Sequence, residues 1–147
     1  MKLRKTWFCW LLISLFMVSS CDISDDRANF HFISLNILEA ELPESFNLNE
    51  TYEIKVTYLR PNGCSIFEGF DIRKDDLTTR TVVAVGSEFE DQGCTQATEE
   101  VQTFFNFICL YDETYTFRFY AGEEEDGTPI FLEYEVPVNQ QTGNNQK

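Results

Sequence analysis

The clearest structural signal in this 147-residue chain is the stretch Thr51–Leu59, whose sequence is TYEIKVTYL. Its apolar and polar side chains alternate with a period of two, which is typical of a β-strand with one buried face. We expect Tyr52, Ile54, Val56 and Tyr58 to point inward and the residues between them to face solvent. No segment has the 3.6-residue period of a convincing helix. The chain is therefore predicted to fold from strands alone.

Six further segments continue the period-two pattern on either side of this strand. In chain order they are 30–37, 65–72, 81–89, 101–111, 114–120 and 130–136. Turn signals such as Arg60-Pro61-Asn62-Gly63 separate them, and an acidic hairpin loop is expected at Gly122–Thr128. Seven strands in about 110 residues predict a sandwich of two packed sheets, with a small β-barrel as the alternative.

The segment Asp112-Glu113-Thr114-Tyr115-Thr116-Phe117 adds a motif to this pattern. It resembles the tyrosine corner of immunoglobulin-like domains, in which a tyrosine opens strand F two residues before a buried core position. Phe117 stands where the second core cysteine usually stands, and Trp7 and Trp10 are the only tryptophans. The resemblance implies an all-β fold, a single immunoglobulin-like antiparallel β-sandwich of about seven strands over residues 30–138, without the antibody-type Cys…Trp…Cys core.

The first 20 residues have the features of a secretory signal. Lys2, Arg4 and Lys5 precede a twelve-residue run, Trp7–Val18, which is apolar except for one serine. Such a run is typical of a signal h-region and is too short to span a bilayer, which takes about 20 residues. We therefore expect residues 1–20 to be a lipoprotein signal peptide that is removed from the mature protein.

The signal ends in Val18-Ser19-Ser20-Cys21. This stretch resembles the bacterial lipobox, in which a branched apolar residue and two small residues precede a cysteine. The resemblance implies that the chain is cut before Cys21, that Cys21 is acylated, and that outer-membrane lipid is a partner. Several acyl chains together suffice for stable anchoring. The alternative is an ordinary cleavable signal in which the cysteine has no role.

The residues after the cysteine refine the expected location. Asp22 would indicate inner-membrane retention under the rule for enteric bacteria, but Ser24, Asp25 and Asp26 resemble the short acidic export signal of Bacteroidota surface lipoproteins. The resemblance implies an outer-membrane protein at the cell surface, with the periplasmic face as the alternative. Residues 21–29 would then be a short acidic tether that reaches roughly 25–30 Å when extended. The domain is thus expected to lie close to the membrane.

The charge balance is strongly acidic once the signal is removed. Three of the 11 bases precede residue 21 and all 25 acids follow it, which leaves 8 bases against 25 acids and a formal net charge of −17. Nucleic acids and anionic headgroups are bound by clusters of Lys and Arg, so neither is expected as a partner. The charge is compatible with a cationic partner or a metal. The polar segment 139–147 has no core residue and is expected to be a disordered tail.

Three cysteines remain in the expected mature domain, in an oxidising compartment. Cys64 and Cys94 each follow a turn glycine, whereas Cys109 lies inside an apolar strand, where it would act as a small hydrophobe. We expect a Cys64–Cys94 disulfide, which would close a loop of about 30 residues and stabilise the fold by roughly 3 kcal/mol. The alternative is that all three thiols are free.

Catalytic and metal sites are weakly supported. His31 is the only histidine, so a catalytic triad has little support, and too few His and Cys ligands remain for a zinc site. The 25 acids offer many carboxylate pairs, but a small sandwich with short loops leaves little room for a catalytic cleft. We expect no cofactor and no enzymatic activity.

The hairpin loop concentrates four acids that could offer oxygen ligands to calcium. They are Glu123, Glu124, Glu125 and Asp126. They lack the alternating spacing that directs carboxylates to one point, so a solvated turn is the preferred interpretation. The same interpretation applies to a second acidic group, Asp71, Asp75 and Asp76.

Outward aromatic side chains are the remaining candidates. The alternation of the last two strands directs Tyr120 and Phe131 away from the core, where they could stack on a sugar ring or contact a protein partner. Alternatively, they cover each other or lie under the hairpin loop. The leading hypothesis is a non-enzymatic outer-membrane lipoprotein, an accessory or structural binding subunit of an envelope assembly. The alternative is a carbohydrate-binding module of a surface glycan-uptake system.

Overall fold

The computed structural model describes residues 29–90 and 93–140. These residues form eight strands: β1 Phe30–Leu35, β2 Ile37–Glu41, β3 Thr51–Arg60, β4 Ser65–Lys74, β5 Thr79–Phe89, β6 Glu99–Ile108, β7 Tyr115–Glu123 and β8 Pro129–Val136. Within these two ranges no helix is long and apolar enough to cross a membrane. The expectations for the signal peptide, for Cys21 and for Ser24, Asp25 and Asp26 lie outside the described residues, as does the tail beyond residue 140.

The strands form two sheets that pack face to face, so the predicted β-sandwich is confirmed. The smaller sheet has the order β2-β3-β6. In the five-stranded sheet, β5 pairs with β4, with β1 and with β7, and β8 lies beyond β7. The two halves of β5 pair with different strands: residues 84–89 pair with β1, and residues 79–82 pair with β7.

The first predicted strand is divided at Asn36, which raises the strand count to eight. Its first half, β1, belongs to the five-stranded sheet, and its second half, β2, pairs with β3 in the other sheet. The Asn36 carbonyl accepts a hydrogen bond from the Leu59 amide at 2.9 Å. A Cβ at Gly122 would lie 3.1 Å from the side-chain Nδ2 of Asn36, so the chain crosses between the sheets at a point where β7 has no side chain.

One pairing differs from the expected antiparallel arrangement. The β5 segment Thr79–Val82 and the β7 segment Thr116–Phe119 run parallel, whereas the other ladders between strands are antiparallel. In an immunoglobulin constant-type domain, strand F lies between strands C and G of an antiparallel sheet. Here β7 lies between β5 and β8, and its contact with β5 is the parallel one.

Aromatic rings fill the space between the sheets. Phe107, Tyr115 and Phe117 lie with their centroids 5.1–6.1 Å from that of Phe46, whose side chain is fully buried. The Phe46 amide donates to the Pro137 carbonyl at 2.9 Å, so this loop residue is bound to the chain that follows β8. The inward positions predicted on β3 are also confirmed, with Ile54, Val56 and Tyr58 buried and Tyr52 half-buried.

Tyr115 has the geometry that the tyrosine-corner motif predicted. It opens β7, its side chain is fully buried, and its hydroxyl oxygen accepts hydrogen bonds from the amides of Leu110 and Tyr111, each at 3.1 Å. One side chain therefore satisfies two backbone donors in the turn between β6 and β7, which fixes the turn against the core.

Replacing Tyr115 by Phe tests this role. Tyr115→Phe keeps the ring but leaves two amide donors without their acceptor, and we expect the free energy of unfolding to fall by about 1–3 kcal/mol in urea denaturation. Tyr120→Phe is the matched control, because the Tyr120 hydroxyl makes one exposed bond to Glu123. Equal stability of the two variants would contradict the proposed role of Tyr115.

The expected disulfide is present between Cys64 and Cys94. Their Cα atoms lie 5.4 Å apart, and the bond joins the start of β4 to the segment before β6. The Gly63 amide donates to the Thr95 carbonyl at 2.9 Å beside it. Cys109 is the free cysteine of the described residues, and its side chain is fully buried in the core. This burial raises the pKa of the Cys109 thiol.

Thiol chemistry provides the second test of the fold. Non-reducing peptide mapping should recover a peptide that links Cys64 to Cys94. Cys109 should be alkylated slowly in the native protein and rapidly in denaturant, because its thiol is buried and protonated. Rapid alkylation of Cys109 under native conditions would contradict the core assignment. The double variant Cys64→Ser/Cys94→Ser should lose about 3 kcal/mol of stability.

Candidate functional site

The two predicted outward aromatics lie directly opposite each other on the outer face of the five-stranded sheet. Tyr120 on β7 pairs in register with Phe131 on β8, and their rings meet edge to face with centroids 6.2 Å apart. The Arg118 guanidinium lies 4.4 Å from the centroid of the Phe131 ring. Its Nε donates to Glu133 at 2.9 Å. These four residues and Glu123 are called the Arg118 cluster below.

Two hydrogen bonds connect the polar groups of the Arg118 cluster to one another. The Tyr120 hydroxyl donates to the Glu123 carboxylate at 3.3 Å. Burial, together with the negative charge of Glu123, raises the pKa of Tyr120, so the phenol remains neutral and keeps its proton for this bond. Because Arg118 covers a face of Phe131 and Tyr120 contacts its ring, a sugar could stack on that face only by displacing Arg118.

The acidic hairpin after β7 is a solvated turn. Its backbone is closed by bonds from the Glu124 amide to the Thr128 carbonyl at 2.8 Å and from the Gly127 amide to the Glu124 carbonyl at 3.0 Å. A hydrogen bond from the Thr128 side chain, together with one from the Thr128 backbone amide at 2.9 Å, lowers the pKa of Asp126. Glu123 instead faces Tyr120. In the part of the chain that the structure describes, no three metal-ligating side chains converge.

The second acidic group is also engaged in local hydrogen bonds. Asp75 accepts the Thr81 hydroxyl, and Asp76 accepts the Leu77 amide at 2.7 Å. Asp71 is exposed on β4. Asp75 and Asp76 therefore stabilise the turn between β4 and β5, and the three carboxylates do not converge on one point.

His31 lies on β1 between two carboxylates. Its Nδ1 is 3.1 Å from a Glu90 oxygen, and its Nε2 is 3.7 Å from a Glu88 oxygen. The imidazole is half exposed on the face of the strand. A protonated His31 would form surface ion pairs with Glu90 and Glu88.

An exposed apolar surface at the start of β1 was not predicted. It consists of Phe30, Phe32, Ile66 and Phe89, and is called the N-terminal patch below. Phe32 is 67% exposed, Ile66 51% and Phe30 45%. The Phe30 ring lies 5.6 Å from Phe32 and 5.8 Å from Phe89, and Phe32 and Ile66 stand on either side of Ser87 in the ladder.

The sequence indicated the N-terminal patch only in part. Phe30 and Phe32 alternate with His31 and Ile33, so the face of each residue is defined, but aromatic and aliphatic side chains occur on both faces. Alternation alone could not decide which face would be buried. The structure buries Leu35 and half-buries Ile33, which leaves the two phenylalanines on the outer face.

The Arg118 cluster and the N-terminal patch are thus two candidate binding sites among the described residues. In the first, Arg118 covers the Phe131 ring, whereas the second exposes Phe30, Phe32 and Ile66. Comparison of the chain with protein-family models, with curated proteins and with solved structures returns no match.

Proposed function

We propose that this protein is a non-enzymatic outer-membrane lipoprotein, exposed at the cell surface, that acts as an accessory or structural binding subunit of an envelope assembly. The single observation that carries the binding role is the N-terminal patch, in which Phe30, Phe32 and Ile66 are each about half exposed or more. Contiguous apolar side chains on a folded surface are typical of contacts with another protein.

The location of this patch supports the proposal. Phe30 begins β1 and is separated from the proposed lipidated residue, Cys21, by the short acidic tether 22–29. The tether limits the distance between the patch and the lipid to roughly 25–30 Å. A partner that binds the patch would therefore lie at the membrane surface, as an outer-membrane protein does.

The charge of the mature chain narrows the class of partner. A formal net charge of −17 disfavours nucleic acid and anionic lipid headgroups as ligands. The contact is instead proposed to be apolar at its centre, with Glu68, whose carboxylate accepts the Ser87 hydroxyl between Phe32 and Ile66, at its rim. A partner with basic residues around an apolar surface would complement this arrangement.

A carbohydrate-binding module is the second candidate, and Tyr120 with Phe131 is the observation in its favour. Glycan binding by the purified protein that is lost in Tyr120→Ala, but retained in Phe104→Ala, would favour this candidate over the first. Phe104 is a suitable control because it is an exposed aromatic residue on the other sheet. The accessory-subunit proposal expects no such binding, because Arg118 covers the Phe131 ring.

Cys21→Ser tests the anchor. We expect this variant to disappear from the outer-membrane fraction and to lack acyl groups in mass spectrometry of its N-terminal peptide, because the acylated sulfur is missing. Cys9→Ser is the matched control, since it changes a cysteine inside the proposed signal peptide and should leave localisation unchanged. Persistence of Cys21→Ser in the outer membrane at the wild-type level would contradict the lipoprotein proposal.

A further inference from the structure

Several outer strands of the sandwich carry features that prevent pairing with another chain. The β2 strand has five residues and a register shift between Ile37 and Glu39. The β4 strand has a bulge between Phe67 and Gly69, and Gly69 has a positive φ of 152°. The β8 strand begins with Pro129, which has no amide proton to donate. Bulges, short strands and proline are the usual protection of a sheet edge.

The β6 strand lacks this protection. It is ten residues long, Glu99–Ile108, contains no proline, and runs in unbroken register with β3. Within the described residues β3 is its one strand partner. Its outward side chains include Phe104, which is 54% exposed, and Ile108, which is 51% exposed. A long, regular and apolar edge is a template for another strand.

The sandwich is also open on the side of β6. The inward residues Val101, Thr103 and Phe105 remain half-buried, although they face the opposite sheet. Phe105 contacts Phe70 of β4 with ring centroids 5.2 Å apart. A strand added beside β6 would therefore cover apolar side chains on both faces of the sheet, in addition to pairing its backbone.

We propose that β6 pairs antiparallel with the β6 strand of a second copy of this chain, about a two-fold axis near Phe104. The pairing would join two three-stranded sheets into one six-stranded sheet. Both copies would use the same surface, as a two-fold interface requires.

The charge pattern of β6 favours a second copy as the occupant. Its charged residues are Glu99 and Glu100, both at its N-terminal end, and Glu99 is paired with Arg60 of its own chain. An antiparallel ladder centred on Phe104 places Glu100 opposite the second copy's Ile108 and keeps the acids of the two copies apart. Like charges directly opposite each other would destabilise the ladder.

The central residues of the same ladder are also complementary. Gln102 would face the second copy's Asn106, so two amides that can both donate and accept hydrogen bonds would be opposite each other. Phe104 would face its own equivalent, and aromatic pairs across strands are stabilising. Parallel pairing in the same register would instead place Glu99 and Glu100 beside their equivalents.

The net charge of the chain makes this association dependent on salt. Two mature chains of formal charge −17 repel each other, while the proposed ladder itself has uncharged residues at its centre. Salt screens the repulsion between distant surface charges and leaves the pairing of a buried ladder almost unchanged. The dimer should therefore become more stable as the salt concentration rises.

Sedimentation velocity of the full lipoprotein in mild detergent, at low and at high salt, tests the proposal. We expect a dimer that tightens with salt. Phe104→Lys should weaken it about 100-fold, because it places two lysines opposite each other. Ile66→Lys, a change of similar exposure on the other sheet, should leave the dimer intact. A monomeric wild-type protein, with β6 free for a strand of another protein, would overturn the proposal.

Cross-linking tests the register without relying on a loss of stability. Residues opposite each other across an antiparallel ladder lie about 4.5–5.5 Å apart, within reach of a disulfide. Phe104→Cys should form a covalent dimer on mild oxidation, whereas Ile66→Cys should not. Equal cross-linking of the two variants would overturn the ladder, since it would indicate random collision.

Discussion

The burial of Phe46 between the two sheets is the contact on which the rest of the structure depends. Phe46 belongs to no strand, yet its ring contacts Tyr52 and Phe107 from one sheet and Tyr115 and Phe117 from the other. Full burial of a phenylalanine is worth about 1.5–3 kcal/mol, so this ring is a substantial part of a marginal net stability. Its backbone bonds to Pro137 and Asn139 also hold the chain beyond β8, and so fix the hairpin that carries the Arg118 cluster.

The packed core determines which surfaces are free to bind. Because Tyr115, Phe117 and Phe119 point inward, the alternate residues of β7 form the outer face, where Arg118 and Tyr120 find partners on β8. The same alternation leaves Phe30 and Phe32 on the outer face, where Phe30 contacts Phe32 and Phe89 and both Phe30 and Phe32 remain largely exposed. In one outer region the aromatic rings are thus covered by neighbouring side chains, whereas in the other they are exposed. We assign the binding role to the second region for this reason.

Much of the fold could be predicted from the sequence, because it rests on local chemistry. The alternation in Thr51–Leu59, the tyrosine before Phe117 and the two cysteines beside turn glycines each identified their structure correctly. The features that were missed depend on contacts between distant segments. The crossing at Asn36 and the parallel pairing of β5 with β7 are set by how the sheets pack. Phe46 lies between strands among polar residues, so the local sequence did not indicate that its side chain is buried. The exposure of Phe32 was missed for the same reason.

A pull-down of the native protein from its own envelope in mild detergent, with stoichiometry by mass spectrometry, tests whether the N-terminal patch binds the proposed partner. We expect a stoichiometric outer-membrane protein partner that is retained by Leu110→Ser and lost in Phe32→Ser. Leu110 and Phe32 are both highly exposed apolar residues, and only Phe32 belongs to the N-terminal patch. Recovery of the wild-type protein without any other envelope protein, or equal loss of the partner in both variants, would contradict the proposed binding role of the N-terminal patch.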